Sequence, residues 1–169
     1  MKLVIERVPD LQALYVKQLR LLLSGEEMIA IKTPFLTERA TDPELHQALG
    51  KQSEDAEADA TGLHEILSRI GRETSAIKCK VVYALFDEAE DLLKGTVHDA
   101  VRDALVIAEA QRVKHYEIAA YGAVRQFARV LNRVEDERLL NQTIHTKGEA
   151  DKRLSEIAER VNPAAKAAA

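Results

Sequence analysis

The segment from Asp103 to Phe127, DALVIAEAQRVKHYEIAAYGAVRQF, constrains the fold more than any other stretch. Apolar and small residues at Leu105, Ala108, Val113, Tyr116, Ala120, Ala123 and Phe127 recur at helical spacing, which predicts one long helix with a buried side. Glu109, Arg112 and Glu117 lie within or beside that stripe. An ionised group placed there must be paired, hydrogen-bonded or bound to metal to offset its desolvation. Acid inside a helical core is therefore the feature to follow.

The flanking sequence supplies helices for that segment to pack against. From Asp10 the pattern Leu11, Leu14, Tyr15, Gln18, Leu22, Ile29 predicts a long first helix, with a kink or early stop at Pro34 and a continuation to about Arg39. Asp42 and Pro43 suit the start of a second helix. Its face is traced by Leu45, Leu49, Gln52, Ala56, Asp59, Leu63, Ile66 and Ile70, and Gly71 is placed to end it. A linker, Gly71 to Cys79, precedes a shorter helix over Val81 to Lys94. The long helix then spans about Val97 to Leu131. A last helix over about Val134 to Val161 carries Leu140, Ile144, Lys147, Asp151, Leu154 and Ala158, and the tail from residue 162 to 169 is expected to fray.

Composition agrees with this reading: aromatics are 4%, Trp is absent, and 7 Gly and 4 Pro are spread over 169 residues. The length is that of one domain. No alternation typical of strands appears. Two long hairpins joined by a crossover with its own helix predict an all-α, ferritin-like four-helix bundle over about residues 9 to 161, rather than a plain up-and-down bundle.

Charge narrows the partners. With 24 basic against 28 acidic residues, net charge -4 and pI near 5.8, the chain offers no basic footprint for nucleic acid and no polybasic membrane patch. Cys79 is the only cysteine, which excludes an intrachain disulfide or a two-cysteine motif and suits a reducing, cytoplasmic setting. The run MKLVIERVPDLQ has too short an apolar stretch for a signal peptide or a transmembrane span, so a soluble protein is expected.

Candidate ligands follow from depth. In an antiparallel hairpin, residues equally far from the turn lie level. Glu26, reflected through the first turn, falls level with Asp55 and Asp59. Glu117, reflected through the last, falls level with Lys147 and Asp151. Each hairpin thus sets one acid against a pair spaced i,i+4, and hard carboxylates in an apolar cavity suit iron or manganese. The ordinary reading of any one helix acid is a solvated group or a weak i,i+4 pair. Glu54 and Glu57 have a di-iron-like spacing, yet Glu54 points away from the apolar face. His115 and His145 also project outward, and Cys79 reads as a buried, inert thiol.

The segments LLLSGEE around Glu26, ALFDEAEDLL around Glu88 and VRDALVIAEAQRVKHYEIAAYG resemble the YciE/YciF family of ferritin-like, stress-associated bacterial proteins. The similarity covers about residues 8 to 160. It implies a ferritin-like bundle, a homodimer and a candidate di-iron centre. The matching acids are Glu26, Asp55 in place of a usual Glu, Glu117 and Asp151. Two departures stand out: residues 144 to 151 read IHTKGEAD where the family carries an acidic run, and Lys114 replaces a usual acid. Two functions are therefore expected. One is an iron-binding stress protein that handles iron or oxidants. The other is a non-catalytic structural or partner-binding dimer whose inherited acids form salt bridges.

Overall fold

A computed structural model describes residues 7–71 and 75–167; part of the expected linker and the last two residues of the tail lie outside them. The chain forms five helices in the order α1 (Leu11–Thr37), α2 (Pro43–Ile70), α3 (Lys80–Lys94), α4 (Asp99–Val130) and α5 (Val134–Ala167). No strand occurs among the described residues.

Local chemistry sets the helix ends. The Asp10 carboxylate accepts the Ala13 amide at 2.7 Å and caps α1. Asp42 accepts the amides of Glu44 and Leu45, both at 3.0 Å, and Pro43 starts α2. Gly71, at φ 67°, ends α2 in the left-handed conformation. Pro34 does not break α1, which continues to Thr37. Proline has no N–H to give the carbonyl four residues back. That carbonyl, on Ala30, instead accepts the Ser53 hydroxyl of α2 at 3.0 Å, so the lost bond is replaced across the hairpin. At the other terminus α5 runs beyond Val161, through Pro163 to Ala167. The alanines there are strong helix formers, and the segment is exposed or half-exposed.

Helices α1 and α2 form one antiparallel hairpin, and α4 and α5 the other. Around the bundle the order is α1, α2, α5, α4, with α3 laid over α1 and α4. The crossover returns along α1: the Ile77 amide bonds the Arg20 carbonyl at 3.1 Å, and further along Lys32 meets Glu90 at 2.5 Å. This return over the whole bundle length makes the two hairpins ferritin-like rather than simply up-and-down.

The inner face of α4 differs from the expected stripe. Its buried residues are Asp103, Val106, Ile107, Glu109, Ala110, Val113, Lys114, Glu117, Tyr121, Val124 and Ala128. Ala108 and Ala123 are exposed, and Leu105, Tyr116 and Phe127 are only half-buried. Charged side chains occupy core positions at 114 and 117, so apolarity alone misplaces the face.

The apolar core falls into two clusters. One gathers Ile29, Leu45, Leu49, Phe86, Val106, Ile107, Leu154 and Ile157. The other gathers Tyr15, Leu19, Leu23, Leu63, Ile66, Leu67, Val124 and Leu140. On each bundle helix the two sets are separated by a charged residue: Glu26 on α1, Asp59 on α2, Lys114 and Glu117 on α4, and Lys147 on α5.

A charged layer at the bundle centre

The centre of this layer is the Lys147 ammonium. Its Nζ lies 3.0 Å from Glu26, 2.7 Å from Asp59 and 2.5 Å from Glu117, so one side chain of α5 ties together α1, α2 and α4. A second ammonium, Lys114, donates to the other oxygen of Glu117 at 2.8 Å. Glu26, Lys114, Glu117 and Lys147 are each 1% exposed, while the Asp59 side chain retains 17%. Lys147 Nζ also stands 5.6 Å from the centre of the Tyr121 ring.

These contacts decide where protons sit. Burial, and next the charge of Glu117, push the Glu26 carboxyl up to about 8, against the pull of Lys147. Burial works the same way on Glu117, but Lys114 and Lys147 together outweigh it and hold that carboxyl below its ordinary range. Glu117 faces two ammoniums and Glu26 one, so the spare proton belongs to Glu26. Burial also disfavours charge on Lys147, yet Glu117, Glu26 and Asp59 overcome it and raise its pKa. The ammonium is retained. Tyr121 is enclosed, and burial followed by the charges of Glu26, Asp59 and Glu117 raises its phenol well above the usual value. A contact between its hydroxyl and the Glu26 carboxyl acts in the same direction.

Of the five acids expected at one depth, Glu26, Asp59 and Glu117 meet at Lys147, while two do not join them. Asp55 turns to Lys51, one helical turn earlier on the outer side of α2. Asp151 faces Gln111 at 3.4 Å and His115 at 3.5 Å. Lys114 and Tyr121 belong to the layer although the apolar stripe omits them. Their spacing from Glu117, three residues before and four after, puts all three on one helix face.

The arrangement does not fit a two-metal centre. A carboxylate-bridged pair of metals needs free carboxylate oxygens converging on open positions. Here the point of convergence holds an ammonium, and a second ammonium takes an oxygen of Glu117. Among the described residues no group of three or more Asp, Glu, His or Cys side chains is arranged to hold a metal ion.

The other expected features are placed as follows. Cys79 is buried, its amide donating to Ser24 Oγ at 3.1 Å and its Sγ lying 3.0 Å from the Tyr116 hydroxyl. Glu27, Glu54, Glu57, His115 and His145 are exposed. Arg112 is half-exposed and bridges Glu88 and Glu109. No helix among the described residues is long and apolar enough to cross a membrane.

Residues 10–167 match the family described as domain of unknown function DUF892, and the chain belongs to that family. Particular relatives are similar over nearly its whole length. Protein YciF of Escherichia coli K12 is 28% identical over 136 residues, which are 80% of this chain and 82% of that one. The crystal structure of the E. coli stress protein YciF superposes with a TM-score of 0.88 at 24% identity, covering 92% of this chain and 99% of its own. YcfI of Rhodopseudomonas palustris, described as a candidate structural protein, superposes with a TM-score of 0.85 at 26% identity, covering 92% and 97%.

Proposed function

We propose that this chain is a non-catalytic member of its family, a structural or partner-binding helical protein in which the Lys147 ammonium stands where a metal pair would otherwise join the four helices. The observation that supports this reading is the contact of one buried Nζ with carboxylates from α1, α2 and α4. A metal cation in such a place offsets the mutual repulsion of the acids and fixes the helices relative to one another. An ammonium with three donors does the same for the Asp59 and Glu117 carboxylates and the Glu26 carboxyl, without redox chemistry. The single cysteine suits a reducing, cytoplasmic setting. A role under stress follows from the likeness to YciF. Self-association is part of the proposal: Ile31 on α1 and Val81 and Leu92 on α3 are large apolar residues left exposed, and a homodimer would cover them.

The alternative is an iron- or manganese-binding protein that handles iron or oxidants. It is favoured by the convergence of Glu26, Asp59 and Glu117 at one depth. Elemental analysis of protein purified from iron-supplemented cells separates the two. The proposal expects far less than one iron per chain in the native protein and a rise in Lys147→Glu, which restores an acid and removes the competing charge. One or two irons per native chain, lost in Glu26→Ala and Glu117→Ala, would overturn it in favour of the alternative.

A further inference from the structure

Four residues of α3, Val81, Leu85, Glu88 and Leu92, are separated by steps of four, three and four, so they share one side of the helix. A different side, made of Val82, Phe86, Ala89 and Leu93, packs into the bundle. Val81 is 49% exposed, Leu92 45%, and Leu85 is half-buried. Glu88 is exposed and accepts from Arg112 of α4 at 2.6 Å. That bond and the contact of Cys79 with Tyr116 run α4 antiparallel to α3, which brings the half-buried Leu105 and exposed Ala108 alongside the Leu92 end. The stripe on α3 therefore borders further apolar surface on α4.

We propose that two copies of this chain pair antiparallel along α3, with Val81 of each set against Leu92 of the partner subunit and Leu85 of each against Glu88 of the partner subunit. The proposal rests on the self-association inferred above and assigns its surface. Its first support is the spacing, which reads four, three, four from either end. A twofold contact demands that property, because one patch must complement itself, and a foreign partner does not. Charge is the second. Lys80 immediately precedes one end of the stripe and Asp91 the other, so both flank it on the same side. In the antiparallel pair Lys80 comes level, to within about 3 Å along the axis, with Asp91 of the partner subunit. A parallel pair would instead set Lys80, Glu88 and Asp91 each against its own copy, and like charges exclude that register. Asp91 is held only by Lys94, in a surface pair of small net worth, and is available to Lys80. Glu88 keeps Arg112 when it is covered, so its charge stays matched.

Sedimentation of the full chain and thiol trapping test the pairing. At micromolar concentration the native chain is expected to sediment as a dimer. Leu92→Asp should be monomeric there with unchanged helicity, because Leu92 belongs to neither core cluster. The contact occurs twice in the dimer, so a factor of about ten at each raises the dissociation constant about a hundredfold. Lys80→Glu should weaken the dimer, and Asp91→Lys added to it should restore it. In a Cys79→Ser background, mixed Val81→Cys and Leu92→Cys chains should oxidise to a linked dimer. Neither variant should do so by itself, since equal positions then lie about 16 Å apart along the axis. A native monomer would overturn this proposal together with the self-association it rests on. A dimer that survives Leu92→Asp, or that links Val81→Cys chains to one another rather than to Leu92→Cys chains, would overturn the α3 pairing and leave self-association standing.

Discussion

Lys147 is a buried cation that three acids cannot do without. Removing one partner from a buried ionic cluster leaves the remaining charges uncompensated, which typically costs about 3–5 kcal/mol. Lys147→Met, close in volume but uncharged, is therefore expected to lose about that much in urea unfolding, and the added change Glu26→Gln should recover part of it. A loss below about 1 kcal/mol would show that Lys147 does not hold the layer together. Glu26 supplies a second prediction. Its folded pKa is about 8, raised by burial and by Glu117 above the ordinary glutamate value that the unfolded chain retains. Below that ordinary value both states carry the proton. As pH rises from there to about 8, the unfolded state ionises and the folded one does not, so the Glu26 contribution falls across this window and levels off above it. Glu117 acts in the opposite sense, since its folded value is lowered, and only a comparison of variants isolates Glu26. The stability of Glu26→Gln minus that of the native protein should rise between pH 5 and pH 8, at no more than about 1.4 kcal/mol per pH unit. A pH-independent difference in chemical denaturation would contradict this assignment of the proton.

At the scale of the helices, two further acids fix the ends of the bundle. Asp136 at the start of α5 accepts from the Tyr15 hydroxyl at 3.0 Å, Arg69 at 2.9 Å and Arg133 at 2.7 Å, joining α1 and α2 to the α4–α5 turn. At the opposite end Asp103 of α4 accepts the Thr41 amide at 2.7 Å, the Thr41 hydroxyl at 2.6 Å and the Asp42 amide at 2.9 Å. Asp103→Ala removes these three bonds between the α1–α2 turn and α4, and about 2–3 kcal/mol should be lost. Faster amide exchange should appear at Thr41 and Asp42 while Glu26 and Glu117 stay protected, and unchanged exchange at the turn would contradict this role. Three helix ends could be read from capping chemistry: Asp10 at the start of α1, Asp42 with Pro43 at the start of α2 and Gly71 at its end follow local rules that do not depend on the rest of the fold. Pro34 could not be read that way, because the replacement donor, Ser53, comes from another helix. Nor could the inner face of α4, where Lys114 and Glu117 take positions that hydrophobic periodicity assigns to apolar residues.

At the scale of the whole molecule, the order of two hairpins and a helical crossover was legible because each helix carries its own periodicity and the crossover is long enough to span the bundle. The depth of the acids was legible in part. Reflection through the turns set Glu26 level with Asp59, and Glu117 level with Lys147, but it could not say which side chain of each i,i+4 pair points inward. That choice depends on the rotation of α2 and α5 about their axes, and on the space Lys147 itself occupies. The consequence is a bundle whose two apolar clusters are joined through an ion layer complete in its own charges. Stability independent of metal is the expected outcome: added ferrous iron should leave the melting temperature of the native protein unchanged while raising that of Lys147→Glu. The most direct test is anomalous diffraction at the iron edge from crystals of the native protein grown with excess iron. The account predicts no iron peak between Glu26, Asp59 and Glu117, with Lys147 Nζ in contact with all three. A peak bonded to these carboxylates, with Lys147 swung out of the layer, would contradict it.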